Sequence, residues 1–347
     1  MKIGYICGPV DARNVYKRFL ERRHTDLFGT SYLTHFIEFC QNDNIDAVII
    51  TNHEGEQYEE RRGRFDILNI PKPKGEKIKY HIRQILWLIV SLKKMEQRSA
   101  RVVIMTAEQH YWFVTLWFRM RGMSFINSYH CAIRSLGHRK FSLHEILIRL
   151  TSYFHLSWGD PTMVISPTIA TELSMEPGSK KREIFQLVPD YSRSIFSDFS
   201  PPLITKGRQK NVNIIFAGRV TANKGVFDIL TIAERLAARA GPEVHFHIHG
   251  EGDALESLRG AAACSAVGHL IHIYGFTAGL ELKSHYKSAD IVIVPTRSNF
   301  EEGLAKSVVE GVLALRPVVT SRACPSIFLL SGACVEAAVD QPASYAE

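Results

Sequence analysis

The sequence predicts an α/β protein of two doubly wound, Rossmann-like domains facing each other across a cleft. Three observations predict it. Short β-branched runs alternate with amphipathic stretches through both halves of the chain. The segment 198–210, with two prolines, a glycine and three basic residues, has no periodicity and reads as a linker. The length, 347 residues, suits two domains of about 150 residues each. The expected domains are therefore 1–197 and 211–347.

In the first domain the expected strands are Lys2–Gly8, Ala47–Asn52, Val102–Thr106, Phe125–His130, Met163–Pro167 and Ile184–Pro189. Helical stretches lie between them at Tyr32–Cys40, Lys79–Met95, Trp112–Arg121 and His144–His155. Continuous apolar runs of this kind suit parallel strands covered by helices on both sheet faces. The second domain repeats the scheme more regularly. Its strands are Asn213–Ala217, Val244–His249, Ile271–Tyr274, Ile291–Pro295 and Val318–Ser321. Its helices run over Gly225–Ala240, Asp253–Ala263, Leu280–Ala289 and Ala305–Leu315. Ligands of such domains bind outside the carboxyl ends of the strands, which directs attention to the loops that follow them.

Composition excludes several classes. Apolar residues make up 46% and charged residues 22%, which rules out general disorder. The longest apolar run, Ile85–Val90, is far too short to span a bilayer. The start of the chain has no leader pattern, and the six cysteines are widely spaced without a CxxC pair. Both points predict a cytoplasmic protein with reduced thiols. Residues 1–200 hold 28 basic and 21 acidic residues, whereas residues 201–347 hold 14 of each. The basic excess of the first half suits an anionic partner such as a membrane surface, and equally a solvated basic face.

The strand Asn213–Ala217 ends in Gly218-Arg219, and Asn223-Lys224-Gly225 opens the next helix. Arg219 and Lys224 would stand at a strand's carboxyl end beside the positive end of a helix. That position suits a diphosphate, and it also suits two surface charges around a βα loop. Further on, a loop carries Glu302-Gly303 and the following helix carries Glu310. Two carboxylates so far apart share no proton; they suit hydroxyls at two ends of a long polyol ligand. The plainer alternative makes Glu302 an acid of the first helical turn and Glu310 an exposed helix residue.

These residues carry a resemblance. Glu302-Gly-Leu-Ala-Lys-Ser-Val-Val-Glu310, followed by Pro317-Val-Val, resembles the donor site of glycosyltransferase group 1, the retaining family four enzymes of GT-B fold. Phe216-Ala-Gly-Arg-Val220 with Asn223-Lys-Gly225 resembles the family's phosphate motif, and His249-Gly-Glu-Gly252 its Gly-x-Gly turn. Tyr274-Gly-Phe276 and Ser288–Pro295 resemble two later segments. The similarity covers nearly all of 211–335. It implies a retaining transferase that moves a sugar from a nucleotide-diphosphate sugar to an acceptor hydroxyl of a glycan or lipid-linked precursor.

By the same resemblance Arg219 and Lys224 neutralise the donor diphosphate, Glu302 holds the transferred sugar and Glu310 the ribose. Gly218, Gly250, Gly303, Leu304 and Tyr274 line the donor. His130, at a strand end, is expected to contact the donor sugar, so that His130, Arg219, Lys224 and Glu302 form the catalytic set. Gly29, before a helix, is a further phosphate candidate, and a simple capping turn fits it equally well. Glu108 and His110 follow another strand and are the acceptor candidates. The family commonly has further helices after the segment that ends this sequence, so a truncated chain is one expectation.

Other features are weighed against these. His245, His247 and His249 alternate on one strand and so share a sheet face, yet no cysteine or carboxylate series completes a metal site. No Asp-x-Asp occurs, so no metal-bridged diphosphate and no cofactor is expected. The stretch Lys72–Arg101 holds nine basic and two acidic residues around an apolar block. It reads either as an interfacial helix with Trp87 inserted in an anionic membrane, or as a buried helix with basic ends. The basic residues are not interleaved with stacking aromatics, so nucleic acid is not an expected partner. Rival functions are a sugar-nucleotide epimerase of the same fold and a non-catalytic sugar-nucleotide-binding subunit.

Overall fold

The computed structural model describes residues 2–21, 31–72, 77–106, 111–131, 150, 153, 158, 161–176, 183–187, 191, 193–202, 211–277 and 279–347. It contains two sheets. The first comprises β1 (Lys2–Ile6), β2 (Asp46–Thr51), β3 (Tyr58–Arg62), β4 (Phe65–Asn69), β5 (Ala100–Met105), β6 (Ser124–Tyr129), β7 (Thr162–Val164) and β8 (Ile184–Gln186), in the order β3-β4-β2-β1-β5-β6-β7-β8. The pairs are parallel except that β3 runs antiparallel to β4.

The helices of this domain are α1 (Ala12–Leu20), α2 (Tyr32–Asn42), α3 (Lys77–Gln97), α4 (Trp112–Met120) and α5 (Pro167–Met175). Local chemistry starts several of them. Asp11, Ser31 and Ser166 each accept a backbone N–H in the first turn of α1, α2 and α5, and Pro167 opens α5 with a preset φ. Two cores lie on opposite faces of the sheet. One joins Trp87, Leu88, Leu92 and Met95 of α3 and Val114 and Phe118 of α4 to Ile6, Ile50 and Val103. The other joins Ala12 and Phe36 to Tyr5, Ile49 and Ile67.

The hairpin β3–β4 and helix α1 are absent from the sequence expectation. Tyr58–Arg62 reads Tyr-Glu-Glu-Arg-Arg and shows no apolar alternation. It is an edge strand, where charge is favoured because it blocks further pairing. The sequence reading that inserts Trp87 into a membrane is corrected: Trp87 is buried, and its indole N–H donates to the Ile70 carbonyl at 2.7 Å.

The second sheet comprises β9 (Val212–Ala217), β10 (Val244–His249), β11 (Ile271–Gly275), β12 (Ile291–Val294), β13 (Val318–Ser321) and β14 (Cys334–Ala337), in the order β11-β10-β9-β12-β13-β14. All its pairs are parallel. Its helices are α6 (Asp228–Ala237), α7 (Leu255–Cys264), α8 (Gly279–Ser288), α9 (Lys306–Leu313), α10 (Ser326–Leu329) and α11 (Pro342–Tyr345). The chain order reverses between β9 and β12. That switch point is where an open α/β sheet leaves a crevice for ligand.

The segment joining the domains packs on the second. Phe196 and Phe199 enter the core formed by Ile215, Tyr286 and Val292, and Asp198 pairs with Lys283 at 2.8 Å and also with Lys287. Burial of Phe196 and Phe199 thus ties the junction to α8. Most of the expected helix His144–His155, the end of the expected strand Ile184–Pro189 and most of the 198–210 linker lie outside the described residues. Among the described residues no helix is long and apolar enough to cross a membrane.

Candidate active site

The loops after β9 and β12 meet at the switch point. After β9, Thr221 leads into a single 3-10 turn, Ala222–Lys224, which Gly225 ends in the left-handed region at φ 73°. Gly225 is required there twice over. Its φ disfavours other residues, and an added Cβ would fall 1.9 Å from the Pro295 carbonyl oxygen. The N–H of Arg297 donates to the Asn223 carbonyl at 3.0 Å, stitching the two loops together.

This stitching assembles charge. Lys224 forms an ion pair with Glu302, both largely buried, and its Nζ lies 4.3 Å from the centre of the Phe300 ring. The Arg219 guanidinium lies 5.1 Å from the same ring. Phe300 is thus the shared platform of both expected phosphate-binding cations, and its residue type alone did not reveal it. Arg219 itself is exposed, so its charge remains open to the crevice.

Glu302 stands in the loop ahead of α9, not in its first turn. The helix begins at Lys306, and its cap residue, Ala305, supplies no side-chain hydrogen bond. Such a helix start offers N–H donors and positive potential to an anion. Glu310 lies in the second turn. Tyr286 of α8 donates to Glu310 Oε2 at 3.0 Å, and burial raises the Glu310 carboxyl above its ordinary range despite that bond and nearby Lys306. Tyr286 fixes one carboxylate oxygen and orients the other; the sequence offered no signal for it.

The first domain meets this loop at His130. Its ring lies 4.2 Å from Tyr32, and its Nε2 is 2.9 Å from Ser128 Oγ. Burial, and secondarily the Lys306 charge, lowers its pKa to about 4, so the ring is neutral at neutral pH. Cys131, next in sequence, has its thiol raised by burial first, then by Glu302 and Glu301, with Arg219 and Lys224 opposing. The end of β6 therefore faces the charged loops of the second domain. Leu304 joins the first-domain residues Ile165 and Ile169 in a shared apolar cluster.

Three expected donor-lining residues have further duties. Gly303 packs its main chain on the first domain, since an added Cβ would fall 2.1 Å from the His130 carbonyl oxygen. Gly250, at φ 141°, lies against Gly218, whose carbonyl oxygen would be 1.7 Å from an added Cβ. Tyr274 is partly exposed and stacks on His249 with ring centres 4.5 Å apart. Gly29, Glu108 and His110 lie outside the described residues.

The alternating histidines of β10 spend most of their nitrogens on neighbours, while His249 Nε2 is buried without a hydrogen-bond partner among the described residues. His245 Nδ1 is 3.1 Å from His272 Nε2, His247 lies 3.0 Å from both Tyr274 Oη and Asn213 Oδ1, and His249 Nδ1 is 3.1 Å from Thr277 Oγ1. Among the described residues no group of three or more His, Cys, Asp or Glu is arranged to hold a metal ion.

Comparison with known proteins agrees with this fold. A family described as "Glycosyl transferases group 1" matches residues 211–347. An uncharacterized glycosyltransferase of Methanocaldococcus jannaschii is 32% identical over 108 residues, which are 31% of this chain and 26% of that protein. The whole chain superposes on sucrose-phosphate synthase of Thermosynechococcus elongatus with a TM-score of 0.71 at 12% identity, covering 88% of that chain. It likewise superposes, over its full length and 88% of the other chain, on the Anabaena protein HepE in complex with UDP and glucose, with a TM-score of 0.63 at 12% identity. Residues 211–347 match the group 1 glycosyltransferase family, and the two facing domains give the chain the GT-B fold.

Proposed function

We propose that the protein is a retaining glycosyltransferase that moves a sugar from a nucleotide-diphosphate sugar to an acceptor hydroxyl, on a glycan or lipid-linked precursor of cell-surface polysaccharide or glycolipid. The observation that carries this reading is the cluster of Arg219, Lys224 and Glu302 at the switch point, beside the uncapped start of α9 and opposite His130. The UDP and glucose held by HepE support the same class of donor.

In this reading the anomeric carbon–oxygen bond to the diphosphate breaks as negative charge gathers on the departing oxygen. Arg219, Lys224 and the α9 N–H groups favour that charge, and fixed positive groups that need no reorganisation lower the barrier most. The departing phosphate oxygen takes the proton of the acceptor hydroxyl, whose oxygen bonds the anomeric carbon on the same face. No protein base is then needed, and the cations take the part that a metal plays elsewhere. Neutral His130 hydrogen-bonds the sugar, Glu302 its hydroxyls and Glu310 the ribose. Tyr274 and the turn at Gly250 lie near the base. Glu108 and His110 remain the acceptor candidates. Closure of the two domains excludes water, so the sugar is transferred and not hydrolysed. The reaction takes place in the cytoplasm or at the inner membrane face.

The test is turnover with UDP, GDP and ADP sugars and the products read by NMR. Arg219→Ala and Lys224→Ala are each expected to lower turnover by roughly 10²–10³-fold, with the product anomer matching the donor's. Unchanged turnover in either variant overturns the assignment. Conversion of donor without acceptor makes the protein an epimerase, and nucleotide-sugar binding without any turnover makes it a binding subunit.

A further inference from the structure

Main-chain bonds pin the loop between β12 and α9. The Arg297 N–H donates to the Asn223 carbonyl at 3.0 Å, the Phe300 N–H to the Arg297 carbonyl at 3.1 Å and the Glu302 N–H to the Phe300 carbonyl at 3.1 Å. Arg297 also reaches Asp228 of α6, Nε to Oδ2 at 3.4 Å. These bonds fix where the Phe300 side chain, itself half-buried, leaves the backbone. Over its ring lie the Arg219 guanidinium, 5.1 Å from the centre, and the Lys224 ammonium, 4.3 Å from it. Both lie inside the reach of roughly 6 Å over which an aromatic face attracts a cation. The cations come from the segment after β9 and the ring from the segment after β12, so one side chain joins the two sides of the switch point.

Two like charges gathered in one crevice repel each other, so their approach has to be offset. A carboxylate offsets it by cancelling charge, as Glu302 does for Lys224. An aromatic ring acts differently. It attracts a cation through its quadrupole and carries no net charge, so the cation keeps its full charge for an anion. Arg219 is exposed beside the ring and keeps its charge toward the crevice in this way. Charge of this kind acts best on a departing phosphate when it is already in place. A leucine would fill similar room without the quadrupole.

We propose that Phe300 is a positioning residue for the donor diphosphate: its ring holds Arg219 and Lys224 together on the crevice without neutralising either. When the diphosphate draws Lys224 from Glu302, the ring keeps the ammonium in place and the carboxylate turns to the sugar hydroxyls. The inference rests on the donor-site reading above. It adds the side chain through which the two cations act as one unit.

The test separates the ring's electrons from its bulk. In the full chain, Phe300 is replaced by mono-, di- and trifluorophenylalanine, which drain the negative face of the ring at nearly constant size. The probe is whichever of UDP, GDP and ADP the wild type binds most tightly, and its affinity is read by calorimetry. Affinity is expected to fall stepwise along the series, by roughly tenfold at its end, while the melting temperature stays unchanged. Phe300→Leu should match the end of the series, and Phe300→Tyr should keep the wild-type affinity. A ring that only fills space gives a flat series and a tolerated Phe300→Leu, and either result overturns the proposal. Arg219→Ala and Lys224→Ala are measured alongside. If both lower the affinity while the fluorinated series stays flat, the Phe300 proposal alone fails. If neither lowers it, or if no nucleoside diphosphate binds, the donor-site reading fails and the proposal with it.

Discussion

The main chain of Gly303 rests on the carbonyl of His130. A Cβ built on Gly303 would lie 2.1 Å from that oxygen and 2.8 Å from Ile165 Cδ1. Glycine there sets how closely the two domains approach, and the same loop carries Glu302 and leads into the helix start that follows it. The contact couples the spacing of the domains to the geometry of the charged loop.

Gly303→Ala should therefore wedge the domains apart. A displacement of about 1 Å at a reacting centre costs roughly 10²-fold in rate, and turnover should fall by that order. Gly260→Ala is the control, because a Cβ at that helical position meets nothing within 4 Å. The control should keep its activity and gain up to about 1 kcal/mol. Small-angle scattering of Gly303→Ala should show a larger radius of gyration than wild type; an unchanged radius with full activity contradicts the wedge.

Lys224 and Glu302 are nearly buried partners. Removing one leaves the other as an uncompensated charge, a loss of about 3–5 kcal/mol when such a pair is broken. Lys224→Ala should lower the melting temperature markedly. The double variant Lys224→Met, Glu302→Leu should recover much of that loss yet stay inactive. Thermal unfolding beside turnover separates the two roles, and recovery of activity in the double variant contradicts the catalytic one.

Tyr286→Phe removes the hydroxyl that holds Glu310 Oε2. A buried carboxylate oxygen losing its donor costs about 1–3 kcal/mol. Nucleotide affinity, measured by calorimetry, should drop by roughly threefold to tenfold, as one neutral hydrogen bond is worth. Equal affinity in the variant contradicts the positioning of Glu310 by Tyr286.

The ring column on β10 and β11 makes stability depend on acid. Burial first, then His285 and His247, lowers His249 to about 3; burial first, then His272, His245 and His285, lowers His247 to about 4. Their ordinary value is 6.5, so the unfolded chain takes up protons before the folded one as pH falls. The stabilising contribution is complete above about pH 6.5 and declines as pH falls toward 4, by at most about 1.4 kcal/mol per unit for each buried histidine. The melting temperature should drop between pH 6.5 and 4.5, and His249→Asn should flatten that slope. An identical slope in His249→Asn excludes His249 as a source.

Much of the fold was legible because it is local. Val244–His249 and Val318–Ser321 carry their strand character in their own residues, and the observed bounds coincide with those expected. The same holds for the order of Gly218-Arg219, Lys224 and Glu302 along the chain, since each follows a strand whose end opens on the crevice. The hairpin at Tyr58–Arg62 was not legible, because an edge strand is defined by what does not pair with it. Phe300, Tyr286 and Tyr32 were missed for a related reason: common aromatic types acquire a role only through a neighbour distant in sequence.

Local periodicity and the strand-to-loop motifs determined an α/β chain with two mainly parallel sheets and placed Arg219, Lys224 and Glu302 in loops after strands. Tertiary packing alone decided which charges meet, which face of α3 is buried and how near Gly303 comes to His130. Helical and strand periods are properties of a few consecutive residues. Which side of a helix looks outward, and which carbonyl a glycine touches, depend on segments brought together from tens of residues away and, for Gly303 and His130, from more than a hundred.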